Sequence, residues 1–272
     1  MTFYGDFHTH TSYSDGENTP REMAESACTM GLSALGITDH AYALCDEDCC
    51  IPQSAVRPRY DALRALQREY ADRLAIGCGI EQDVCGAFDA LPYDYRITSM
   101  HYLCWEGAYI CVEDTPARLQ AGIQACFGGD AYAFVKAYYA RLAEALPAFP
   151  TDIVGHFDVL TKFNGQGAFF DESDARYRRA ALEALHAVLQ THRLFEVNTG
   201  AWVHGYRSEP YPAAFLLRAL YQAGGEVILS SDSHSALGIA GGFADAAALC
   251  RACGFRYAKV FTQAGFKDVP LG

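Results

Sequence analysis

The chain has 272 residues, of which 51% are hydrophobic and 13% aromatic, and such a composition supports a sizeable core and excludes a disordered chain. Its formal net charge of −12 at pH 7 argues against general nucleic-acid binding, which needs a basic surface to displace counterions from phosphates. The sequence shows neither a signal peptide nor a run approaching the roughly 20 apolar residues that span a membrane. We therefore expect a cytoplasmic protein with no nucleic-acid or membrane partner.

A short apolar run, a polar residue and a helical stretch follow one another about seven times along the chain. The apolar runs predict strands over residues 2–7, 33–38, 74–80, 95–99, 152–155, 194–197 and 226–230. Apolar spacing predicts helices over residues 20–30, 59–73, 116–125, 131–146, 175–191, 211–223 and 241–253. Thr19 as N-cap and Pro20 at the first helical position mark the start of the first helix, and Gly31 marks its end.

The alternation of strands and helices favours a parallel sheet. Because polar residues follow the C-terminal ends of the strands, we expect an α/β fold of the TIM-like barrel type with functional residues at its carboxyl face. An open doubly wound sheet is the alternative, and it would gather these residues at a single switch point. No linker divides the sequence, so residues 1–272 are expected to form a single domain.

Eleven cysteines are scattered along the chain, and an odd number in a cytoplasmic protein argues against a disulfide framework. Most are expected to be buried thiols. Cys49 with Cys50, or Cys250 with Cys253, could in principle bind a metal. Neither has the second pair of ligands that a four-coordinate zinc site needs.

Histidines and acidic residues directly follow the predicted strands. His8 and His10 follow the first, and in extended backbone residues two apart face the same side, so both imidazoles can reach one ion. Asp15 could add a carboxylate or could only close a Ser-Asp-Gly turn. His40 follows Asp39, which fits either a helix cap beside a surface histidine or a metal ligand. Ligating histidines usually donate their second ring nitrogen to a carboxylate, and the candidates here are Asp6, Asp39 and Asp158.

Further polar positions repeat this arrangement. Glu81 follows a strand too apolar for a carboxylate without a partner, and a bridging metal ligand would explain it. His101, His156 and the pair Asp232 and His234 also follow apolar strands. Singly, each histidine is more often structural than a ligand. Six of the nine histidines lie at strand ends, which favours metal binding, and the exceptions are His186, His192 and His204.

The joint set of imidazoles and carboxylates exceeds what one four-coordinate ion can use. Two or three divalent ions are therefore expected, and mixed ligation of this kind suits zinc, manganese or iron. The expected ligands are His8, His10, Asp15, His40, Glu81, His101, His156, Asp232 and His234.

Several segments, read together, resemble the polymerase and histidinol phosphatase (PHP) superfamily. They are Asp6-Phe7-His8-Thr9-His10-Thr11, Gly36-Ile37-Thr38-Asp39-His40, Gly79-Ile80-Glu81, Ser99-Met100-His101, Gly155-His156-Phe157-Asp158 and Ser231-Asp232-Ser233-His234. The match runs in the family's order along nearly the whole chain. The segments over residues 155–164 and 196–201 are most similar to the monofunctional histidinol-phosphatase branch.

The resemblance implies a distorted seven-stranded (β/α) barrel with a trinuclear metal site at its C-terminal face. The first ion would be held by His8, His10, Glu81 and Asp232. The second would be held by Glu81, His101 and His156. The third would be held by Asp15, His40 and His234. Acceptable ligands occupy all these positions, so the site is expected to be intact.

The resemblance also implies a metal-dependent phosphomonoesterase that hydrolyses L-histidinol phosphate to L-histidinol and phosphate in histidine biosynthesis. Two ions sharing Glu81 would lower the pKa of a bridging water, and the resulting hydroxide would attack phosphorus in line. Asp232 or His234 would pass a proton to the leaving alkoxide. We expect Glu81, Asp232 and His234 to be the catalytic residues.

The substrate would be a small phosphorylated metabolite whose phosphate needs a cation. We expect Arg207 first and Lys162 second in this role; related enzymes tend to carry arginine where this chain has Lys162. Candidates for the imidazole and amine of histidinol are Asp46, Glu47, Asp48, Trp202, Tyr206 and Glu209. Two alternatives stay open: a phosphoesterase for another small metabolite or a nucleotide, and a non-enzymatic metal-storage or regulatory protein.

Overall fold

The computed structural model describes residues 4–86 and 88–272; the predicted start of the first strand, at Thr2 and Phe3, lies outside the described residues. The strands are β1 (Gly5–Asp6), β2 (Ala34–Ile37), β3 (Ala75–Asp83), β4 (Tyr95–Ser99), β5 (Tyr102–Trp105), β6 (Ala108–Cys111), β7 (Ile153–Val154), β8 (Leu194–Asn198), β9 (Glu226–Ser230), β10 (Tyr257–Thr262) and β11 (Gly265–Pro270). The helices are α1 (Pro20–Thr29), α2 (Val56–Tyr70), α3 (Pro116–Phe127), α4 (Ala131–Ala145), α5 (Ala175–Val188), α6 (Gly200–Val203), α7 (Ala214–Gln222) and α8 (Phe243–Ala252). Within the described ranges, no helix combines the length and hydropathy needed to cross a membrane.

Nine strands form one curled sheet in the order β1-β2-β3-β4-β7-β8-β9-β10-β11. All neighbours are parallel except β10 and β11, which form an antiparallel hairpin. Strands β5 and β6 form a separate hairpin. The loops that follow β1 and β9 meet in a parallel bridge between Thr9 and Ser233, where the N–H of His10 donates to the Ser233 carbonyl at 2.9 Å. The expected α/β fold is confirmed.

Each predicted strand overlaps a strand of this sheet, and β4 and β9 have the predicted bounds. The sheet also contains β10 and β11, which follow the last predicted helix in a segment where no element was predicted. Helix α7 begins at Ala214, later than the predicted residue 211. The reason is that the backbone of Tyr211 pairs with that of Asn198, through two hydrogen bonds of 2.9 and 2.7 Å, and cannot join the helix.

Side-chain caps fix the starts of the helices that flank the site. Thr19 accepts the N–H of Glu22 at 3.3 Å, and the Glu22 carboxylate accepts the N–H of Thr19 at 2.7 Å. This capping box confirms the start of α1 at Pro20. Asp130 caps α4 by accepting two backbone N–H groups at 3.0 Å. The loop over residues 7–19 is thus held between β1 and a fixed helix start.

Inside the curled sheet, Tyr95 on β4 fills the space beside Gly36, Gly77 and Gly79. A Cβ at Gly36 would lie 1.7 Å from the Tyr95 hydroxyl oxygen, and one at Gly77 or Gly79 would lie 2.9 Å from the ring. The hydroxyl donates to the carbonyl of Phe7 at 2.6 Å, so the ring lies across β2 and β3 and ties β4 to β1. Other buried members of this apolar layer are Ile97, Ile153, Leu194, Ile228 and Val260. The layer fills the sheet interior and leaves the carboxyl ends of the strands to polar residues.

Candidate metal centre

The carboxyl ends of the parallel strands carry the expected ligands, and the curl of the sheet brings them together. Asp15 lies in the loop between β1 and α1. The others are placed by the strands as follows: His8 and His10 after β1, His40 after β2, Glu81 within β3, His101 after β4, His156 after β7, and Asp232 and His234 after β9. Parallel strands share one direction, so residues at their carboxyl ends lie on one face.

Glu81 lies at the middle of this cluster and is 1% exposed. Its Oε2 is 3.1 Å from His8 Nε2 and 2.9 Å from His40 Nδ1. Its Oε1 is 3.2 Å from His101 Nε2 and 3.1 Å from His156 Nε2. One buried carboxylate therefore touches imidazoles from four different strand ends, with each oxygen shared between two of them.

Two further carboxylates face the histidines on the outer side of Glu81. Asp232 Oδ1 is 3.1 Å from His10 Nε2, and Asp15 Oδ2 is 3.1 Å from His234 Nε2. Asp15 also lies 3.7 Å from both His10 and His40. The backbone of Asp232 has a φ of 54°, which is uncommon for a residue other than glycine. Asp15 thus reaches into the cluster, rather than only closing its turn.

Three groups in the described chain have ligand atoms close enough together to share an ion. They are His10, Asp15, His40 and His234; His8, His10 and Asp232; and His40, Glu81 and His101. This grouping differs from the one that the resemblance implies, because His10 and His40 each belong to two groups. His156 lies in none of them, although its Nε2 is 3.0 Å from His101 Nε2 and 3.1 Å from Glu81 Oε1.

Unpartnered buried atoms show that this cluster fits metal ions. His8 Nε2 and Glu81 Oε2 are close to each other, yet neither has a partner at hydrogen-bonding geometry, and both nitrogens of His10 also lack one. Buried polar atoms are nearly always satisfied, so these neighbouring unpartnered atoms form a donor set that fits a cation. Imidazole nitrogens and carboxylate oxygens are the donors that zinc, manganese and iron take in proteins.

The electrostatics of the cluster keep its carboxylates charged and one imidazole neutral. Burial opposes the charge on Glu81, but His8, His101 and His40 outweigh it and hold the pKa of that carboxyl well below its usual value. Burial, followed by the neighbouring His234 and His40, lowers the pKa of His10 to about 4. A neutral imidazole beside carboxylates is the state in which histidine binds a metal.

Glu196 and Asp83 hold the rings of two histidines from behind. Glu196 Oε2 lies 2.8 Å from His8 Nδ1, and its other oxygen accepts the backbone N–H of His156. Asp83 Oδ2 lies 3.0 Å from His101 Nδ1 and accepts the N–H of the same residue at 2.6 Å. Both carboxylates leave Nε2 of their histidine facing Glu81, which is the arrangement that orients a ligating imidazole.

The three carboxylates predicted for that role lie elsewhere. Asp6 accepts the N–H and hydroxyl of Ser231 and the N–H of Ala240. Asp39 accepts from Arg59 and from the backbone of Thr11. Asp158 accepts the backbone N–H of Ala213 at 3.0 Å, and burial raises its pKa to about 7. The prediction was wrong because closeness in sequence to a histidine does not place a carboxylate behind its ring.

A cavity of about 400 Å³ opens above the cluster. Its walls include the expected ligands Asp15, His40, His101, Asp232 and His234. Its acidic and basic lining residues are Asp46, Asp48, Glu113, Asp114, Arg118 and Lys162, and its aromatic ones are Tyr102, Tyr206 and Tyr211. Residues of both charge signs therefore surround the space beside the cluster.

Residues 6–200 match the family model described as PHP domain. The chain belongs to the PHP family. This PHP chain is 33% identical over 270 residues to the "Probable histidinol-phosphatase" of Deinococcus radiodurans, covering 94% of this chain and 96% of that protein. It is 25% identical over 253 residues to the histidinol-phosphatase of Bacillus subtilis, covering 85% and 93%. The superfamily and branch resemblance is thereby confirmed.

A solved structure supports the same fold. The histidinol phosphate phosphatase of Lactococcus lactis, complexed with zinc, L-histidinol and phosphate, covers 97% of this PHP chain and 98% of its own length, with a TM-score of 0.60 and 20% sequence identity. At this identity the likeness concerns the fold. The mixed α/β sheet of the PHP chain therefore has a counterpart of known structure along nearly its whole length.

The two predicted phosphate-binding residues of the PHP chain lie in different environments. Arg207 is turned away from the cavity: its side chain is 6% exposed, and it bonds Glu172 at 2.6 and 2.9 Å and the Thr161 carbonyl at 3.2 Å. Lys162 lines the cavity and lies 3.3 Å from Glu113. Of the two, Lys162 is the one within reach of a ligand in the cavity.

The residues predicted to face the imidazole and amine are also divided. Asp46, Asp48 and Tyr206 line the cavity. Glu47 accepts the hydroxyl of Tyr42, Glu209 accepts the N–H of Ala214, and Trp202 packs against the core. Only part of this predicted set therefore lies where a ligand could touch it.

Glu196, Asp83 and Glu113 contribute to the site of the PHP chain without having been predicted. Glu196 lies within the apolar β8, the same signal that singled out Glu81, so the sequence could have revealed it. Glu113 follows the unpredicted β6 and the apolar run over residues 108–112, so a signal of the same kind was present there too. The cysteines are free thiols, and no cysteine belongs to the metal-capable groups found in residues 4–86 and 88–272.

Proposed function

We propose that this PHP chain hydrolyses L-histidinol phosphate to L-histidinol and phosphate, a step of histidine biosynthesis, with divalent metal ions in the cluster around Glu81. The observation that carries the proposal is the buried Glu81 carboxylate within 3.6 Å of five imidazoles, beneath an open cavity. Relatives with histidinol-phosphatase names match nearly the whole chain. The structural neighbour was solved with zinc, L-histidinol and phosphate.

The residues that would hold two or three ions are the nine expected ligands. Their short contacts and unpartnered atoms support this assignment. The zinc in the Lactococcus lactis neighbour favours zinc, although manganese and iron take the same donors. When bound, such ions lower the pKa of a water molecule and neutralise charge on the phosphoryl oxygens.

The side chains of this chain have separate tasks in the proposed reaction. Glu196 orients His8 so that its Nε2 faces the ligand cluster. Lys162 would bind the phosphoryl group, and we place it ahead of Arg207, whose guanidinium is already occupied by Glu172. Asp232 and His234, which lie at the outer side of the cluster, are the proposed residues through which a proton reaches the leaving alkoxide.

The same proposal includes the finer features of the fold. The strands β1 to β4 and β7 to β9 would close as a distorted seven-stranded barrel, and the bridge between Thr9 and Ser233 supports closure. Residues 1–272 would act as one domain, because the ligands come from loops at both ends of the chain. A cytoplasmic location stays a prediction.

Phosphate release tests the proposed substrate. The purified chain, loaded with zinc or manganese, should release phosphate from L-histidinol phosphate far faster than from p-nitrophenyl phosphate or sugar phosphates. Equal and slow rates across such a panel would contradict the substrate assignment. A strong preference for another metabolite would instead favour the alternative of a PHP phosphoesterase with a different substrate.

Replacement of Glu81 tests the shared carboxylate. Glu81→Ala removes oxygens that face imidazoles from four strand ends, so metal content and activity should fall together. We expect a loss larger than the roughly 10- to 100-fold that follows from removing an outer hydrogen-bond partner of a ligand. Metal analysis and phosphate release measure both effects. Glu183→Ala, an exposed glutamate of α5, is the control, and a fully active Glu81→Ala protein would refute the role.

A further inference from the structure

Glu113 and Lys162 form an ion pair in the wall of the cavity. Lys162 Nζ lies 3.3 Å from Glu113 Oε2, and the two side chains are 24% and 25% exposed. The other oxygen of Glu113 lies 3.3 Å from His101 Nε2. The pair therefore stands directly beside the ligand cluster, and both of its members line the cavity.

The ammonium group of Lys162 is oriented by more than this one contact. It lies 5.7 Å from the ring centroids of both Phe163 and Tyr206, within the range of cation–π attraction. An ammonium has three donors, and the contact with Glu113 uses one of them. The group is held at the cavity wall with donors left for another anion.

We propose that Glu113 and Lys162 separate when the substrate binds and that each then pairs with one of its two charges. Lys162 binds the phosphate, and Glu113 binds an ammonium on the carbon next to the phosphate-bearing carbon. This inference rests on the proposed function and names the part of the site that selects the substrate. The substrate class is a phosphate monoester of a β-amino alcohol, to which L-histidinol phosphate belongs.

Charge balance explains why the pair can separate when such a substrate binds. Removing one partner of a desolvated ion pair is costly, because the other charge is left uncompensated. A β-amino phosphate carries a new partner for each member, so neither charge is left alone. Its phosphate and ammonium are joined through one ester oxygen and two carbons, a short separation that suits two side chains already in contact.

The same arrangement disfavours simple phosphate esters. An ester without an ammonium could draw Lys162 away from Glu113. The Glu113 carboxylate would then be unpaired beside the negative charge of the ester phosphate. Like charges in a partly desolvated site repel, and specificity commonly rests on such a repulsive contact. Glu113 thus favours esters that carry the amine and disfavours esters that lack it.

The proximity of Glu113 to His101 raises a different role, that of an additional metal ligand, and the test has to separate the two. We compare L-histidinol phosphate with the phosphate ester of imidazolylpropanol, which has the same skeleton without the amine. The proteins are the metal-loaded wild type, Glu113→Gln and Asp114→Asn. Asp114 is the neighbouring acid of the same cavity, and its carboxylate is bound by Arg118.

We expect the wild type to prefer the amino ester by about 10- to 100-fold in kcat/KM, the range of a charge-assisted hydrogen bond. Glu113→Gln should reduce this preference to near unity, mainly through KM for the amino ester, and should keep its metal content. Asp114→Asn should retain the preference. Calorimetry with L-histidinol and imidazolylpropanol should show the same loss of discrimination in binding alone.

Each other outcome has a definite meaning. If Glu113→Gln loses an ion, Glu113 is a metal ligand and the exchange is overturned. If the wild type hydrolyses both esters equally, or if Glu113→Gln keeps the preference, this inference fails while the phosphatase assignment stands. If the wild type releases phosphate from neither ester and does not discriminate between the two alcohols, the proposed function and the inference fall together.

Discussion

Two acid–base pairs flank the imidazole cluster, and they differ in how fully their hydrogen bonds are used. In the first, Arg59 donates to Asp39 at 2.8 Å, and both side chains are 0% exposed. The guanidinium also donates to the carbonyls of Gly79 and Ile37 at 2.9 and 3.1 Å. In the second, Lys162 and Glu113 meet at 3.3 Å in the cavity wall, each about a quarter exposed.

The difference separates a structural pair from one that can respond to a ligand. Two donors of Arg59 bind the carbonyl at the end of β2 and a carbonyl in the middle of β3, and they fix the two strands that carry His40 and Glu81. Lys162 has donors to spare, and Glu113 faces the ligand cluster. A buried pair with no spare hydrogen-bonding capacity indicates a role in the fold, whereas a partly exposed pair with spare capacity indicates a role in binding.

The largest expected effect comes from breaking the buried pair. Arg59→Leu leaves the Asp39 carboxylate buried and uncompensated, which should lower the free energy of unfolding by about 3–5 kcal/mol. Denaturant titration measures this loss. A loss no greater than that of an exposed arginine in α2 would contradict the structural role.

The pH dependence of the same variant sharpens this prediction. Burial opposes the charge on Asp39, but Arg59 outweighs it and holds the pKa below the usual value of 3.8. A carboxyl with a depressed pKa contributes stability above its unfolded-state pKa and loses it as the pH falls through the folded-state value. The difference in the free energy of unfolding between wild type and Arg59→Leu should therefore become smaller below about pH 4.

An intermediate effect is expected for Glu196, a buried carboxylate that holds the proposed ligand His8 rather than a cationic side chain. Glu196→Gln keeps the shape but loses the charge that orients the ring, so metal affinity should fall about 10- to 100-fold. Competition with a chelator measures the affinity, and thermal unfolding of the metal-free protein is the control. Unchanged affinity would show that His8 needs no such partner.

The smallest effect should come from Arg57, which pairs with Asp61 on the exposed face of α2. Its Nε lies 2.9 Å from Asp61, but the side chains are 69% and 56% exposed. Solvent screens exposed pairs, and holding two long side chains together costs entropy, so Arg57→Leu should change the free energy of unfolding far less than Arg59→Leu. It is the matched control for Arg59→Leu, because both arginines belong to the same helix.

Most of the fold and the ligand cluster could be predicted from local sequence. Strand ends marked by a histidine or a carboxylate are visible without knowledge of the fold, and the repeated unit implies that they meet. The hairpins β5–β6 and β10–β11 were not predicted: β5 and β6 are apolar but only four residues long, and charged residues interrupt the apolar residues of β10 and β11. Glu113 was missed with the first of them.

Pairings between distant residues could not be predicted. Arg207 was expected to bind phosphate because it is a cation in a loop near the site, but Glu172, 35 residues away, occupies its guanidinium. The carboxylates behind His8 and His101 are likewise distant in sequence from the rings that they hold. A sequence shows which charged side chains are available, whereas the hydrogen-bond partner of each is determined by the folded structure.

The bridge between Thr9 and Ser233 joins a loop that is synthesised early to a loop that is synthesised late. A growing chain exposes His8 and His10 long before Asp232 and His234 leave the ribosome. At about 5–20 residues per second, that interval is on the order of ten to forty seconds. During it the early members of the proposed metal centre would meet the ions of their surroundings without the residues that complete it. The ion supply during synthesis would thus act on a proposed site whose selectivity has not yet been built.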